Sequence, residues 1–403
     1  VTGINPADEL TKNYYDGYNG ATQLSLTTNP QYLGKVRKSM SRILDGGSNW
    51  LHSTLSYDVH GRTTNTSGNN HLTPASTTSE QVAFTYDWAD AVLTQNRSHN
   101  NGSATRSINQ RRQYDHAGRM YNYFFNPGNG EKHTGNYNYD IKDQLTERNI
   151  YSVFNGTWSW LQSVDYTYNA LGWMTAINGP SLGGTASSLN GCTPTAPNPG
   201  AVTIQSNPDH NDLFSLELQY DQLYTGLSGT IKKNGNISQA VWRIRGRERQ
   251  AYSYTYDKLS RLTAGNYSEI NDAGTVSANN RYTTGYSYDL RGNINSLTRN
   301  GLYLNAGCWT QGQIDNLSYT PVSTSNKLSK IADAVTDATA KAQGFNPGTA
   351  SATATYSYDA NGNLTADPYK GATISYNHLN RPTKIQWTPS RYIDFLYDAA
   401  GAK

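Results

Sequence analysis

One short pattern recurs along this 403-residue chain and limits its fold more than any other feature: tyrosine, Asp or Asn, two variable residues, a turn-former, then often Arg or Asn. The clearest copies are Tyr57-Asp58-Val59-His60-Gly61-Arg62, Tyr114-Asp115-His116-Ala117-Gly118-Arg119, Tyr288-Asp289-Leu290-Arg291-Gly292-Asn293 and Tyr358-Asp359-Ala360-Asn361-Gly362-Asn363. Looser copies begin at Tyr86-Asp87, Tyr139-Asp140, Tyr168-Asn169, Tyr220-Asp221, Tyr256-Asp257, Tyr376-Asn377 and Tyr397-Asp398, with Tyr319-Thr320 read as a degenerate one. The Asp/Asn positions 58, 87, 115, 140 and 169 step by 29, 28, 25 and 29, and 359, 377 and 398 by 18 and 21. Such a period marks units that become stable only beside one another. The wider gaps, 169 to 221 and 289 to 359, are expected to hold insertions or eroded copies.

The pattern has a direct physical reading. Side chains alternate across a strand, so Tyr252-Ser253-Tyr254-Thr255-Tyr256 sets three tyrosines on one face and Ser and Thr on the other. Tyr137/Tyr139, Tyr166/Tyr168, Tyr286/Tyr288 and Tyr356/Tyr358 repeat the arrangement. The Asp or Asn that follows can bond the backbone two residues on and start a turn. The glycine three residues later supplies a positive φ. A second strand then leaves through pairs such as Leu262-Thr263 and Leu364-Thr365. Each repeat is therefore a hairpin, and a lone hairpin is marginal in water. Side by side, the copies form one long antiparallel sheet with tyrosine ladders. A sheet of that length must twist and coil. The predicted fold is all-β: one repeat region over residues 1–403 that spirals into a hollow wall, with loop insertions at about 178–208 and 325–345. The Tyr, Asp and Gly positions of the motif are structural.

Composition fits this reading and argues against a compact enzyme core. Hydrophobic residues make up 35% of the chain, where globular chains carry roughly 45–50% with Gly included. The aromatic content is concentrated in 31 Tyr, against 7 Phe. Low charge and many aromatics are the reverse of a disordered composition. A net charge of +3 is too small to call for a nucleic acid. No apolar run approaches the roughly 18 residues of a membrane-spanning helix. The start VTGINPADEL has neither an initiator Met nor a signal sequence, and the end falls inside a motif, so a segment of a longer chain is expected.

Three stretches stand apart. Ser325–Gly344 is rich in Ala and Lys, with Leu328, Ile331, Val335 and Ala338 at helical spacing, and is predicted to be a short helical insertion. Asn178–Pro208 and Thr63–Ser79 are predicted to be exposed loops. Cys192 and Cys308 lie too far apart for a metal knuckle and could be a disulfide or two thiols.

A search for chemistry yields no catalytic site, no cofactor site and no metal site. Gly179-Pro180-Ser181-Leu182-Gly183 matches a nucleophile-elbow pattern, but loop-forming residues follow where a helix is required. Asp359-Ala360-Asn361-Gly362-Asn363 resembles the opening of a calcium loop with Gly in the wrong place. The eight histidines show no HExxH or HxH pairing. Trp242-Arg243-Ile244-Arg245-Gly246-Arg247-Glu248-Arg249 is the one basic cluster, and in a single strand its arginines would share a face.

The Tyr-Asp-x-x-Gly-Arg/Asn series with its trailing Leu-Thr resembles the Rhs/YD-repeat family over nearly the whole chain, from about Tyr15-Asp16 to Lys403. Two stretches resemble Rhs proteins of Bacteroidetes-type bacteria in particular. One is Leu218-Gln219-Tyr220-Asp221 with Asn234-Gly235-Asn236-Ile237-Ser238 and Trp242; the other runs from Tyr358 through Ile374-Ser375-Tyr376-Asn377-His378-Leu379-Asn380-Arg381-Pro382 to Ile385. The resemblance implies a non-catalytic cocoon that encloses a variable C-terminal polypeptide, usually a toxin. A core segment with an Asp-Pro-x-Gly autoprotease motif would close it. Asp367-Pro368-Tyr369-Lys370 does not match that motif. The implied partners are the remainder of the same chain (core and cargo) and secretion machinery, in a secreted or cell-surface setting. The alternative is an adhesin whose tyrosines and tryptophans stack on cell-surface glycans.

Overall fold

A computed structural model describes residues 9–15, 32–45, 47–76, 78–154, 158–179, 212–348, 350–351 and 353–403. The chain is built almost entirely of strands. Thr11–Tyr15 pairs with Val36–Arg42, which pairs with Trp50–Tyr57, which pairs with Thr63–Gly68, each antiparallel to the last. The meander continues through Glu80–Tyr86, Val92–Asn100, Thr105–Tyr114, Met120–Asn126 and Lys132–Tyr139. It ends at Leu328–Asp333 as one sheet of 21 strands. A sheet of 5 strands follows, from Ser357–Tyr358 to Arg391–Asp394. It is held to the first where the Tyr356 amide donates to the Ser329 carbonyl at 2.9 Å.

The motif also curves the wall. Register slips by one residue just before the motif tyrosine, at Ser56/Tyr57, Thr85/Tyr86, Gln113/Tyr114, Thr167/Tyr168, Thr255/Tyr256, Ser287/Tyr288, Ser357/Tyr358 and Ser375/Tyr376. A bulge bends its strand and adds twist. The bulge recurs in most hairpins, and the chain comes round so that the segment after Arg391–Asp394 meets the segment after Val36–Arg42. There Ile43 bridges Asp398, the Leu44 amide donates to the Tyr397 carbonyl at 2.9 Å, and the Ala399 amide to the Arg42 carbonyl at 2.8 Å. The ends join through a turn, so the sheet is not a closed barrel.

Most strand residues are half-buried along their whole length, as in Val36–Arg42, Trp50–Tyr57 and Met120–Asn126. Their cover comes from neighbours in the same row. Deep burial occurs where an excursion folds back over the sheet. Residues between Tyr220 and Ser238 close Leu227 and Tyr224 over Val241, Ala251 and Ile270, on the face opposite Tyr252. Ala340 and Val335 close over Tyr303 and Ile314.

Four expectations need correction. Ser325–Gly344 is not a helical insertion: Leu328–Asp333 is a strand paired with Cys308–Pro321, and only Ala338–Lys341 is helical, capped by Asp337. An unpaired sheet edge offers a full ladder of hydrogen bonds, which outweighs a weak helical propensity. Thr63–Ser79 is not simply an exposed loop: Thr63–Gly68 is a wall strand, and both Asn69 and Ser79 are buried. The Asn69 amide group donates to the Trp50 and Pro74 carbonyls at 2.7 and 2.6 Å, and its carbonyl accepts from the His52 amide at 2.7 Å. The arginines of Trp242–Arg249 do not share one strand face, because the run folds into a hairpin with Gly246 at φ 75°. Arg243 is buried, bonds the Arg247 carbonyl at 2.9 Å and pairs with Asp272 at 2.7 Å. The degenerate copy sits two residues after the expected Tyr319. Pro321 stands in the tyrosine place and Val322 in the Asp place, with the Val322 amide donating to the Lys327 carbonyl at 2.8 Å. Beyond Gly179, the Asn178–Pro208 stretch, the elbow-like motif and Cys192 lie outside the described residues.

Candidate functional site: the turn edge and an aromatic row

The motif turns share one geometry except at Tyr220-Asp221, where no such turn closes and the Lys232 amide donates to the Tyr220 carbonyl at 2.7 Å. The Asp58 amide donates to the Arg62 carbonyl at 3.0 Å, and the Gly61 amide to the Asp58 carbonyl at 3.0 Å. Asp58 Oδ1 accepts the amides of His60 and Arg62, both at 2.9 Å. Asp115, Asp140, Asp257 and Asp289 accept the corresponding pair of amides, and Asp359 accepts the Asn363 amide. Gly61, Gly118, Gly292 and Gly362 have φ of 79°, 78°, 93° and 91°, the conformation the sequence predicts for them. In four repeats the same place holds Asp90, Asp143, Ser260 or Asn380, at φ 67°, 63°, 62° and 56°. Each of these side chains bonds an adjoining repeat: Asp90 to Arg62, Asp143 to Arg119, Ser260 to Asn234, and Asn380 to Asn361 and Asn363. The left-handed cost of a non-glycine residue is offset by a latch that glycine cannot make.

The tyrosine links neighbouring repeats as well. Its hydroxyl donates to the carbonyl of the residue just after the preceding turn. Tyr57, Tyr86, Tyr114, Tyr139 and Tyr168 reach Val36, Thr63, Val92, Met120 and Leu145 at 2.6–3.0 Å. Tyr220, Tyr256, Tyr288, Tyr358 and Tyr376 reach Met174, Ile237, Leu262, Leu328 and Leu364 at 2.7–2.9 Å. The bonds at Val36, Ile237 and Leu328 expose eroded turns ending at Lys35, Asn236 and Lys327 that lack the Tyr-Asp signature.

Sequence reasoning missed the arginine that closes the motif. Arg62 Nε pairs with Asp58 at 2.7 Å, while its Nη1 donates to the Asp87 carbonyl at 2.8 Å in the next repeat. Arg119 spans Asp115 and the Asp140 carbonyl, and Arg261 spans Asp257 and the Asp289 carbonyl. Each guanidinium also covers the next tyrosine ring: Tyr86 at 4.9 Å, Tyr139 at 5.1 Å, Tyr288 at 4.7 Å. The signal was present in the Arg/Asn preference after the glycine. Reading it as a link required knowing that successive turns lie side by side. Arg119, through its side chain and then its amide, holds the Asp115 carboxyl below the usual carboxylate range.

Elsewhere one row of side chains crosses five strands. Arg111 lies over Phe124 at 3.6 Å, Phe124 stacks on His133 at 4.3 Å, and His133 meets the edge of Trp160 at 4.7 Å. Phe124, His133 and Trp160, with Ser152 and Ser159, line a cleft of about 350 Å³. Burial, aided by Arg111, pushes the His133 imidazole below its ordinary range. Arg111 is fixed by Glu131 through two bonds of 3.1 and 2.7 Å. Among the described residues no group of three or more His, Cys, Asp or Glu converges as metal ligands would, and no helix is long and apolar enough to cross a membrane.

No protein-family model and no curated protein matches the chain. Solved structures do. A crystal structure of TcdB2-TccC3-TEV is 10% identical, with 94% of this chain and 19% of that chain covered at a TM-score of 0.29. The Tc holotoxin pore of Photorhabdus luminescens is 10% identical, with 90% and 22% covered at 0.23. A porin-like protein from Bacteroides uniformis is 8% identical, with 68% and 93% covered at 0.24. The chain spans about a fifth of the toxin-complex chains it matches.

Proposed function

We propose that this chain is a non-catalytic wall segment of an Rhs-type shell, which encloses a polypeptide cargo carried by the rest of its own protein. The observation that carries the reading is the continuity of the wall: each repeat is fastened to the next by a tyrosine hydroxyl and, in three repeats, by an arginine, and the last motif turn returns to the second strand, where Ile43 bridges Asp398. Nothing in that bonding is spent on binding a small molecule. The repeat motif supports the same reading, and with it a secreted or surface setting. The test is limited proteolysis of the natural full-length protein. Cargo that resists protease in the intact particle and becomes sensitive once the wall is loosened supports enclosure. Equal sensitivity in both states, or a full-length protein without cargo, would sink it.

The aromatic row favours a second reading, in which Phe124, His133 and Trp160 stack against a sugar ring as part of an adhesin. Glycan-array binding that is lost in Trp160→Ala, with the fold intact by circular dichroism, would establish it.

A further inference from the structure

The tips of the motif turns carry large apolar side chains that nothing covers. Trp88 is 95% exposed and Ile141 100%; Leu290 is fully exposed, and Val59, Leu171 and Leu259 are exposed as well. These residues all fall at one of the two variable positions of the motif, so they form a row along one edge of the wall. Adjacent tips are separated by two strands, about 9–10 Å. A row of that kind is more than the scattered exposed apolar residues of an ordinary surface.

The molecule itself shows what such a turn docks onto. In the last repeat, Tyr397 and Asp398 are only 7% exposed. That turn sits against Arg42–Leu44, at the ends of strands Val36–Arg42 and Trp50–Tyr57 away from their motif turns. Three bonds fasten it: Leu44 amide to Tyr397 carbonyl at 2.9 Å, Ala399 amide to Arg42 carbonyl at 2.8 Å, and Ala400 amide to Ser41 Oγ at 3.2 Å. The variable positions of this seated turn are both alanine, and Ala400 stays exposed; six uncovered turns carry Val, Trp, Ile or Leu there, while those at Asp115 and Asp359 carry His116-Ala117 and Ala360-Asn361. The opposite edge of the wall, onto which it docks, has its own exposed apolar residues elsewhere: Leu72, Leu213, Ile244, Leu304 and Trp309. Both edges present one loop per hairpin, so their spacings match.

We infer that the motif-turn edge is an assembly surface, and that its occupant is the opposite edge of a second copy of this chain, seated as the Tyr397 turn is seated on Arg42–Leu44. The inference does not depend on whether the wall encloses cargo. The two surfaces differ, so the contact is head-to-tail and does not close at two copies. Association therefore rises with concentration beyond the dimer.

Analytical ultracentrifugation of the 403-residue chain tests this with two variants. The tip variant combines Trp88→Asp, Ile141→Asp and Leu290→Asp; the far-edge variant combines Leu72→Asp, Leu304→Asp and Trp309→Asp. We expect the parent chain to form species larger than a dimer and each variant alone to lose them. Mixed, the two variants should recover a 1:1 dimer that grows no further, because each supplies the surface the other lacks. A parent chain that stays monomeric at all concentrations overturns the inference, as does a tip variant that assembles like the parent. Should a variant fail to fold by circular dichroism, a photo-crosslinker at position 88 decides the matter in the otherwise unchanged chain. Crosslinks to the far edge near 304 and 309 sustain the proposal; crosslinks from tip to tip, or none between chains, overturn it.

Discussion

Aspartate at the second motif position fills two roles that substitution can separate. Its Oδ1 shapes the turn by accepting backbone amides, and its Oδ2 receives the closing arginine, as Asp115 does from Ala117, Arg119 and the Arg119 side chain. Asparagine keeps the first role and loses the charge, and Asn169 and Asn377 occupy the same place in other repeats. Stability in urea is therefore expected to fall in the order Asp115, Asp115→Asn, Asp115→Ala, with the larger step at alanine; equal losses would refute the division. Gly118 gives a second test. No atom lies within 4 Å of where its Cβ would be, yet its φ is 78°. Gly118→Ala thus meets only the dihedral cost and should lower unfolding stability by about 1 kcal/mol. A loss several times larger would mean that the added methyl group meets neighbours at this turn.

Among the described residues, the two clusters of buried hydrophobic side chains form where an excursion returns over the sheet. The hairpin Ile294–Asn305/Cys308–Pro321 faces Gly301 against Gly312, leaving room for Ile314 and Tyr303, on which Ala340 packs. Gly344 follows at close quarters: a Cβ there would lie 2.1 Å from the Ile314 carbonyl oxygen and 2.4 Å from Asp315 Oδ1. Backbone cannot yield as a flexible side-chain tip does. Gly344→Ala is expected to lift the short helix off the hairpin, so that amides near 338–345 lose protection from hydrogen exchange while the motif turns keep theirs. Unchanged protection would show that the segment adapts.

For the whole wall, pH acts through sets of like groups. Asp115, Asp257, Asp289 and Asp359 all have carboxyls held below the ordinary 3.8. The causes named first are the Arg119 side chain for Asp115, the Arg261 amide for Asp257, and the Asn293 and Asn363 side chains for the last two. A depressed folded pKa adds stability that is present above 3.8 and lost as pH falls below it. At the alkaline end, burial pushes Tyr254 and Tyr356 up from 10.0 to about 12, and Tyr267 is pushed up as well. A raised folded pKa adds stability that is present below pH 10 and lost as pH rises through about 12. The melting temperature should therefore fall most steeply beyond these two limits, with a smaller decline below pH 6.5 from the lowered His52 and His133 imidazoles. A main fall already complete above about pH 5 would make the histidines the controlling groups instead.

How much of this was legible in the sequence follows from the range of the forces involved. The turn is local: Asp58, Gly61 and the alternating tyrosines lie within a few residues of their partners, so the motif alone determined the hairpins, the turn conformation and the all-β class. The alternating stripe likewise placed the tyrosines on one face. What linked residues distant in the chain was decided by the tertiary structure. Arg62 reaches Asp87 and Asp90 only because successive turns stand side by side, and the eroded turn at Lys35 is recognised by the tyrosine bonded beyond it. Leu328–Asp333 shows the same rule in reverse, since a free sheet edge overrode its helical spacing. The meeting of Ile43 with Asp398 lies furthest from local signals, because it depends on the course of every strand between them, which no single residue encodes.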